Sequence, residues 1–289
     1  MKIQHFFDSD TSTLTYLVYD DSSKDAVIID PVLDFDPLSG RLEDRSAQLL
    51  ISKVREEGLR VHFILETHAH ADHLSSSQLL KSYFPDAKVA ISQRITQVQE
   101  VFQKTFNLSG QKTDGSDFDF LFQDDEVFTA GSFMIRAIPT PGHTPACSSF
   151  LIGDFLFSGD ALFMPDYGTG RCDFPRGSAA QLYESVKRLF SLPDLTRVFV
   201  GHDYMPGGRP LLFETTIGES KKSNIQLKAE TTRDDFIHFR EARDKTLKAP
   251  RLLLPSLQIN IAAGHLPAPE ENGTSYLKLP LKPTFKIEQ

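Results

Sequence analysis

The stretch THAHADH, residues 67–73, sets three histidines and one aspartate in seven positions of a 289-residue chain that holds nine histidines in all. Imidazoles and carboxylates are costly to take out of water unless they bind a metal or one another. His-x-His-x-Asp-His therefore reads first as a metal-binding loop, because nitrogen and carboxylate donors at this spacing can converge on one ion. The loop follows the apolar run HFIL (62–65), so it leaves the end of a strand.

Outward from that loop the chain alternates strands and helices. LTYLVYD (14–20) and DAVIID (25–30) are β-branched and aromatic runs parted by the turn-forming DSSK, and read as a hairpin. Ala47, Leu50, Ile51 and Val54 recur at helical spacing with Gly58 behind them, which predicts an amphipathic helix over 42–57. FMIRAI (133–138), SSFLIG (148–153) and FLFSG (155–159) read as consecutive strands. SAAQLYESVKRLF (178–190) opens with a Ser-x-x-Gln capping box and places Leu182, Val186, Leu189 and Phe190 on one helix face. Strand RVFV (197–200) closes this part, and the whole predicts a layered α/β architecture with facing sheets.

More ligand-type residues stand at strand ends. His143 lies in PTPGHTP after FMIRAI, Asp160 ends FLFSGD, and His202 ends RVFVGH, each behind a glycine that lets the backbone turn sharply. Any one of them is as readily a turn or a helix cap. Four strand ends that each deliver such residues point to one metal centre.

Composition limits the function. With 40% hydrophobic and 24% charged residues the chain can bury a large core, and a net charge of −8 lacks the Lys/Arg excess that a nucleic-acid binder needs. No run of 18 apolar residues occurs and the amino terminus carries no signal-like segment, so the expectation is a cytoplasmic protein without a membrane partner. Cys147 and Cys172 are the only cysteines, read as free thiols.

THAHADH, PGHTPAC (141–147), SGDALF (158–163) and VGHDY (200–204) resemble the metal-binding motifs of the metallo-β-lactamase superfamily over residues 1–210. The resemblance implies a four-layer αββα sandwich with its site at the edge between two sheets, and a C-terminal helical and irregular extension (211–289) packed on that core. True β-lactamases are exported and usually carry cysteine where Asp160 stands, so the antibiotic-hydrolysing branch fits poorly. GTGRCDF (168–174), TIGESKKSNIQL (216–227) and NIAAG (260–264) resemble the persulfide dioxygenase branch, with the glyoxalase II branch as its near relative. Three departures stand out: Thr169 occupies a position where well-known members carry cysteine, Cys172 sits two residues after Gly170, and NLSGQKTDGSDFDFLFQDDE (107–126) looks like an added polar loop.

The dioxygenase resemblance implies one Fe(II) per chain on His68, His143 and Asp160, leaving positions for O2 and a substrate sulfur. Glutathione persulfide and O2 would be the small-molecule partners, and sulfite and glutathione the products. His70, Asp72, His73 and His202 would then orient ligands and hold waters. In the glyoxalase reading the same four complete a second site, for two Zn or mixed Zn/Fe, and a hydroxide attacks a thioester. A catalytically silent metal-binding module is a third alternative. Arg171 suits a glutathione carboxylate, with loop bracing as its plain alternative, and Tyr204 could reach the reacting sulfur or oxygen from the site's rim.

Past residue 210, TTRDDFIHFREARDKTL (231–247) predicts a helix with Phe236, Phe239, Arg243 and Leu247 in one stripe. The Pro-rich segment from 249 onward reads as irregular, and its apolar LLLPSLQINI (252–261) as able to pack across a homodimer interface.

Overall fold

The computed structural model describes residues 1–281 and 283. In chain order the first half forms β1 (Lys2–Asp8), β2 (Thr13–Tyr19), β3 (Asp25–Ile29), β4 (Val32–Asp36), β5 (Arg41–Glu43), α1 (Arg45–Glu56), β6 (Arg60–Leu65), β7 (Leu74–Ser75), α2 (Ser77–Tyr83), β8 (Lys88–Ser92), α3 (Ile95–Thr105) and β9 (Phe120–Phe122). The second half forms β10 (Val127–Ala130), β11 (Phe133–Pro139), β12 (Ser148–Ile152), β13 (Phe155–Phe157), α4 (Ala179–Leu189), β14 (Arg197–Phe199), β15 (Glu214–Thr216), α5 (Ile217–Ser223), α6 (Arg233–Asp244) and α7 (Leu253–Asn260).

Two six-stranded sheets result, ordered β1-β2-β3-β6-β8-β9 and β10-β11-β12-β13-β14-β15, beside a small β5-β4-β7 sheet. Alternation along the strands explains their packing. Leu14, Tyr16 and Val18 of β2 join Ile135, Phe150 and Phe157 of the second sheet in one core, while Leu17 and Tyr19 join Leu50, Ile51 and Val54 of α1 in another. Helices α1, α2 and α3 thus cover the first sheet, and α4 with α6 packs against the second. The layered sandwich expected from the sequence is the one observed.

Four local expectations need correction. The first helix begins at Arg45, because residues 41–43 pair with β4 as β5. Within 107–126, Phe120–Phe122 adds to β8 as a parallel edge strand, since Phe118 and Phe122 find buried places in the cores. In α6 the buried stripe is Phe236, Arg240 and Asp244, whereas Phe239 is exposed; an Arg–Asp pair fills the positions that hydrophobicity alone assigns elsewhere. Finally, residues 253–260 are helical, Pro255 sitting in the first turn where its missing N–H would have had no helical partner. Leu252, Leu257, Ile259 and Ile261 are buried within the chain, while Leu253, Leu254 and Pro255 are half-buried.

Candidate metal centre

The THAHADH loop is tied down from below. Asp30, at the end of β3 with φ of 51°, accepts from the Thr67 backbone N–H at 2.7 Å and from the Thr67 hydroxyl at 2.8 Å. With its proton committed to Asp30, the Thr67 hydroxyl can only accept from His68 Nδ1, 3.0 Å away, which turns His68 Nε2 inward as a bare lone pair. His70 is set the other way round. Its Nε2 faces Asp30 at 3.0 Å and Glu66 at 3.4 Å, leaving Nδ1 inward, and Glu66 is itself held by the hydroxyls of Ser75 and Ser77.

The remaining donors arrive from the second sheet. Gly142 and Gly159 take positive φ values of 145° and 50°, and a side chain on either would strike Leu182 or Thr67. His143 Nδ1 donates to the Arg171 carbonyl at 2.7 Å and its Nε2 lies 3.5 Å from Asp160 Oδ2. His202 Nδ1 donates to the Ser12 carbonyl at 3.1 Å, and its Nε2 lies 3.5 Å from Asp72 and 3.4 Å from Asp160. Every sequence-predicted ligand candidate is therefore brought to one place. His68, His143 and Asp160 form one group and His70, Asp72 and His73 another, with donor atoms inside each group within 4.8 Å of one another.

These residues fit a metal on their own chemistry. His68 Nε2, His70 Nδ1, His73 Nε2 and Asp160 Oδ1 are buried without a hydrogen-bond partner among the described residues. Buried polar atoms rarely stay unpaired; a cation at the first group would satisfy His68 Nε2 and Asp160 Oδ1, and one at the second the His70 and His73 nitrogens. Burial, then the neighbouring His70 and His143, holds His68 well below the usual imidazole range, so it is neutral and ready to donate. Burial pushes His70 the same way, but Asp30 and Glu66 outweigh it and raise it.

A cavity of about 300 Å³ opens beside the first group. Phe163, Tyr167 and Tyr204 form an aromatic wall, with Tyr204 stacked 5.6 Å from His202 and tilted against Tyr167 at 4.6 Å. Burial and the charges of Asp160 and Asp72 push the Tyr204 phenol well up, which keeps it a proton donor. Arg171 lines the cavity, yet its guanidinium is bidentate to Asp173 at 2.6 Å and donates to the Lys248 carbonyl at 2.7 Å. Cys172 lines a separate cavity beside α6; burial pushes its thiol up, and the same cause raises Cys147 to about 12.

The sequence profile of the metallo-beta-lactamase superfamily matches residues 9–202, the span that supplies all seven candidate ligands. The chain belongs to the metallo-beta-lactamase superfamily. Among its relatives, a glyoxylase B2 of Dictyostelium discoideum is 49% identical over 282 residues, 97% of each chain. The mitochondrial persulfide dioxygenase ETHE1 of Homo sapiens is 35% identical over 205 residues, 70% of this chain and 68% of that one. The crystal structure of ETHE1 from Myxococcus xanthus superposes with a TM-score of 0.73 at 33% identity, over 92% of this chain and 100% of that one.

In this metallo-beta-lactamase superfamily chain, several site residues escaped the sequence reading. Asp30 and Glu66 sit in apolar strand ends and show their role only where Thr67 and His70 meet them. Asn260 of α7 donates to the carbonyls of His70 at 2.8 Å and His73 at 2.7 Å and accepts from the Ser75 N–H, clamping the ligand loop from 185 residues away. Its only signal was its place in NIAAG. Arg243 and Arg251 line the cavity and belong to none of the ion pairs among the described residues.

Proposed function

We propose that the protein is a non-haem iron(II) persulfide dioxygenase that oxidises glutathione persulfide with O2. The carrying observation is the grouping of His68, His143 and Asp160, two imidazoles and a carboxylate, beside a cavity with an aromatic wall and a cationic rim. Such a set on one face suits iron(II), which supplies redox chemistry toward O2 while leaving positions open, whereas zinc has none. One persulfide, one O2 and one water give one glutathione, one sulfite and two protons: the terminal sulfur takes both oxygen atoms and the sulfur–sulfur bond is then cleaved by water. Similarity to the ETHE1 proteins, extending over the whole Myxococcus chain, supports this reading.

The protein's own part is to hold and shield. Phe163 and Tyr167 shield one side of the cavity, and Tyr204, which lines it and is half exposed, would donate to an oxygen or sulfur at the site. Arg243 and Arg251 give the cavity mouth the charge that a glutathione carboxylate requires, a role the sequence offered to Arg171. A cytoplasmic location is part of this proposal.

A second reading has its own observation. His70, Asp72 and His73, with His202 facing Asp72, make a second donor set, and the 49% identical relative is named a glyoxylase. Metal-free protein reloaded with iron(II) or with zinc and given glutathione persulfide or S-lactoylglutathione in an oxygen electrode separates the two. The expected result is persulfide-dependent O2 uptake and sulfite from the iron form alone. Thioester hydrolysis by the zinc form without O2 uptake by the iron form would establish the hydrolase, and metal without turnover of either would leave the silent module.

A further inference from the structure

The geometry points to Arg240 and Asp244, on α6 beyond the matched superfamily span, as positioning residues that set His143 and Asp160 through the 168–172 segment. Both are buried, 2% and 6% exposed, and paired at 2.6 Å along one helix face. Burying two charges in this way seldom adds net stability over an apolar pair of the same volume, so the pair calls for another purpose.

Its contacts supply one. Arg240 Nη1 donates to the Thr169 carbonyl at 3.3 Å and to Gln226 Oε1 at 2.9 Å, and Gln226 in turn accepts from the Thr169 N–H and hydroxyl and donates to the Tyr167 carbonyl. Asp244 Oδ2 accepts from the Cys172 N–H at 2.8 Å. The ion pair thus grips the segment at residues 169 and 172. Between these two grips lie Gly170 and Arg171. The Gly170 N–H donates to the Asp160 carbonyl at 3.1 Å, and the Arg171 carbonyl accepts from His143 Nδ1 at 2.7 Å. Both donors that the second sheet supplies to the first metal group therefore lean on the two residues that Arg240 and Asp244 bracket. A helix at the far end of the chain sets the ring plane and tautomer of one ligand and the backbone of the other. This inference rests on a metal at His68, His143 and Asp160, and not on which reaction it serves.

Cobalt(II) tests it, because its visible spectrum reports ligand geometry without turnover. Metal-free parent, Asp244→Asn and the double variant Arg240→Met with Asp244→Leu are titrated with cobalt(II) against a chromophoric chelator, and their thermal unfolding is followed without metal. The expected result is an altered cobalt spectrum with affinity weakened roughly 10- to 100-fold in both variants, while the double variant unfolds at the parent temperature or above. Parent-like spectrum and affinity in the folded double variant overturn the inference. Should that variant fail to fold, Asp244→Asn, which keeps the side-chain shape, decides in the same way. A parent that binds no cobalt overturns the metal site itself, and the inference with it.

Discussion

At the scale of single residues, the site is made by second partners as much as by ligands. Each inward nitrogen is bare because its ring partner is committed: His68 through Thr67 to Asp30, His143 to the Arg171 carbonyl, His202 to the Ser12 carbonyl. Replacement of His68, His143 or Asp160 by Ala removes a direct donor and should abolish iron retention, read as iron per purified chain. His202→Ala should keep much of the iron; loss of all metal there, with two metals per chain in the parent, would favour the dinuclear hydrolase. Arg171 makes a different forecast. Because its guanidinium is committed to Asp173 and Lys248, Arg171→Ala and Asp173→Ala should lower kcat/KM to a similar extent by loosening the loop. Arg251→Ala should instead raise KM by a charge-assisted contact of about 1.5 to 3 kcal/mol at unchanged iron loading. Steady-state kinetics on the three variants sort these cases.

At the scale of elements, two clamps join parts that are distant in the chain. Asn260 on α7 satisfies three backbone groups of the ligand loop, and Asn260→Ala leaves them unpaired at about 1 kcal/mol or more each. Urea unfolding should show a loss of about 3 kcal/mol, with less metal retained. Asp25 at the start of β3 joins the two sheets: it meets Arg60 and His62 beside it and accepts from the Ser132 N–H in the β10–β11 turn at 2.9 Å. Arg60, then His62, hold its carboxyl well below the usual carboxylate range. The depressed folded value means that Asp25 stabilises the fold above its unfolded pKa of about 4, and that this stability is lost as pH falls from there toward the folded value. Urea midpoints measured from pH 7 down to pH 3 should show Asp25→Asn destabilised at neutral pH and approaching the parent below pH 4.

At the scale of the whole molecule, the candidate centre closes the sandwich. His68, His70, Asp72 and His73 follow β6 in the first sheet, and His143, Asp160 and His202 leave strands of the second. An ion bound there bridges the sheets and favours the folded state by mass action. At a free metal concentration 100 times Kd the gain is about 2.7 kcal/mol, which corresponds to a rise in Tm of roughly 5 to 10 °C. Calorimetry with and without a chelator measures it. An unchanged Tm, with metal shown to bind, would mean that the unfolded chain holds the ion as tightly as the folded one.

The amino-acid sequence by itself determined the layered α/β class, most strands, the helices at 45–56 and 179–189 and all seven candidate ligands. The reason is that strand alternation, helical spacing and the donor types of THAHADH are carried by residues close together in the chain. Tertiary structure alone decided how those ligands are held. Nothing local to Asn260 marks it as the clamp on residues 70–75, and helical spacing in 233–244 favoured Phe239 over the buried Arg240 and Asp244. The helix at 253–260 escaped too, because its polar Ser256, Gln258 and Asn260 alternate with apolar residues and show no amphipathic helical period. Local periodicity tells which face of an element can be buried, but its packing partner decides which face is buried, and that partner is named only when distant segments meet.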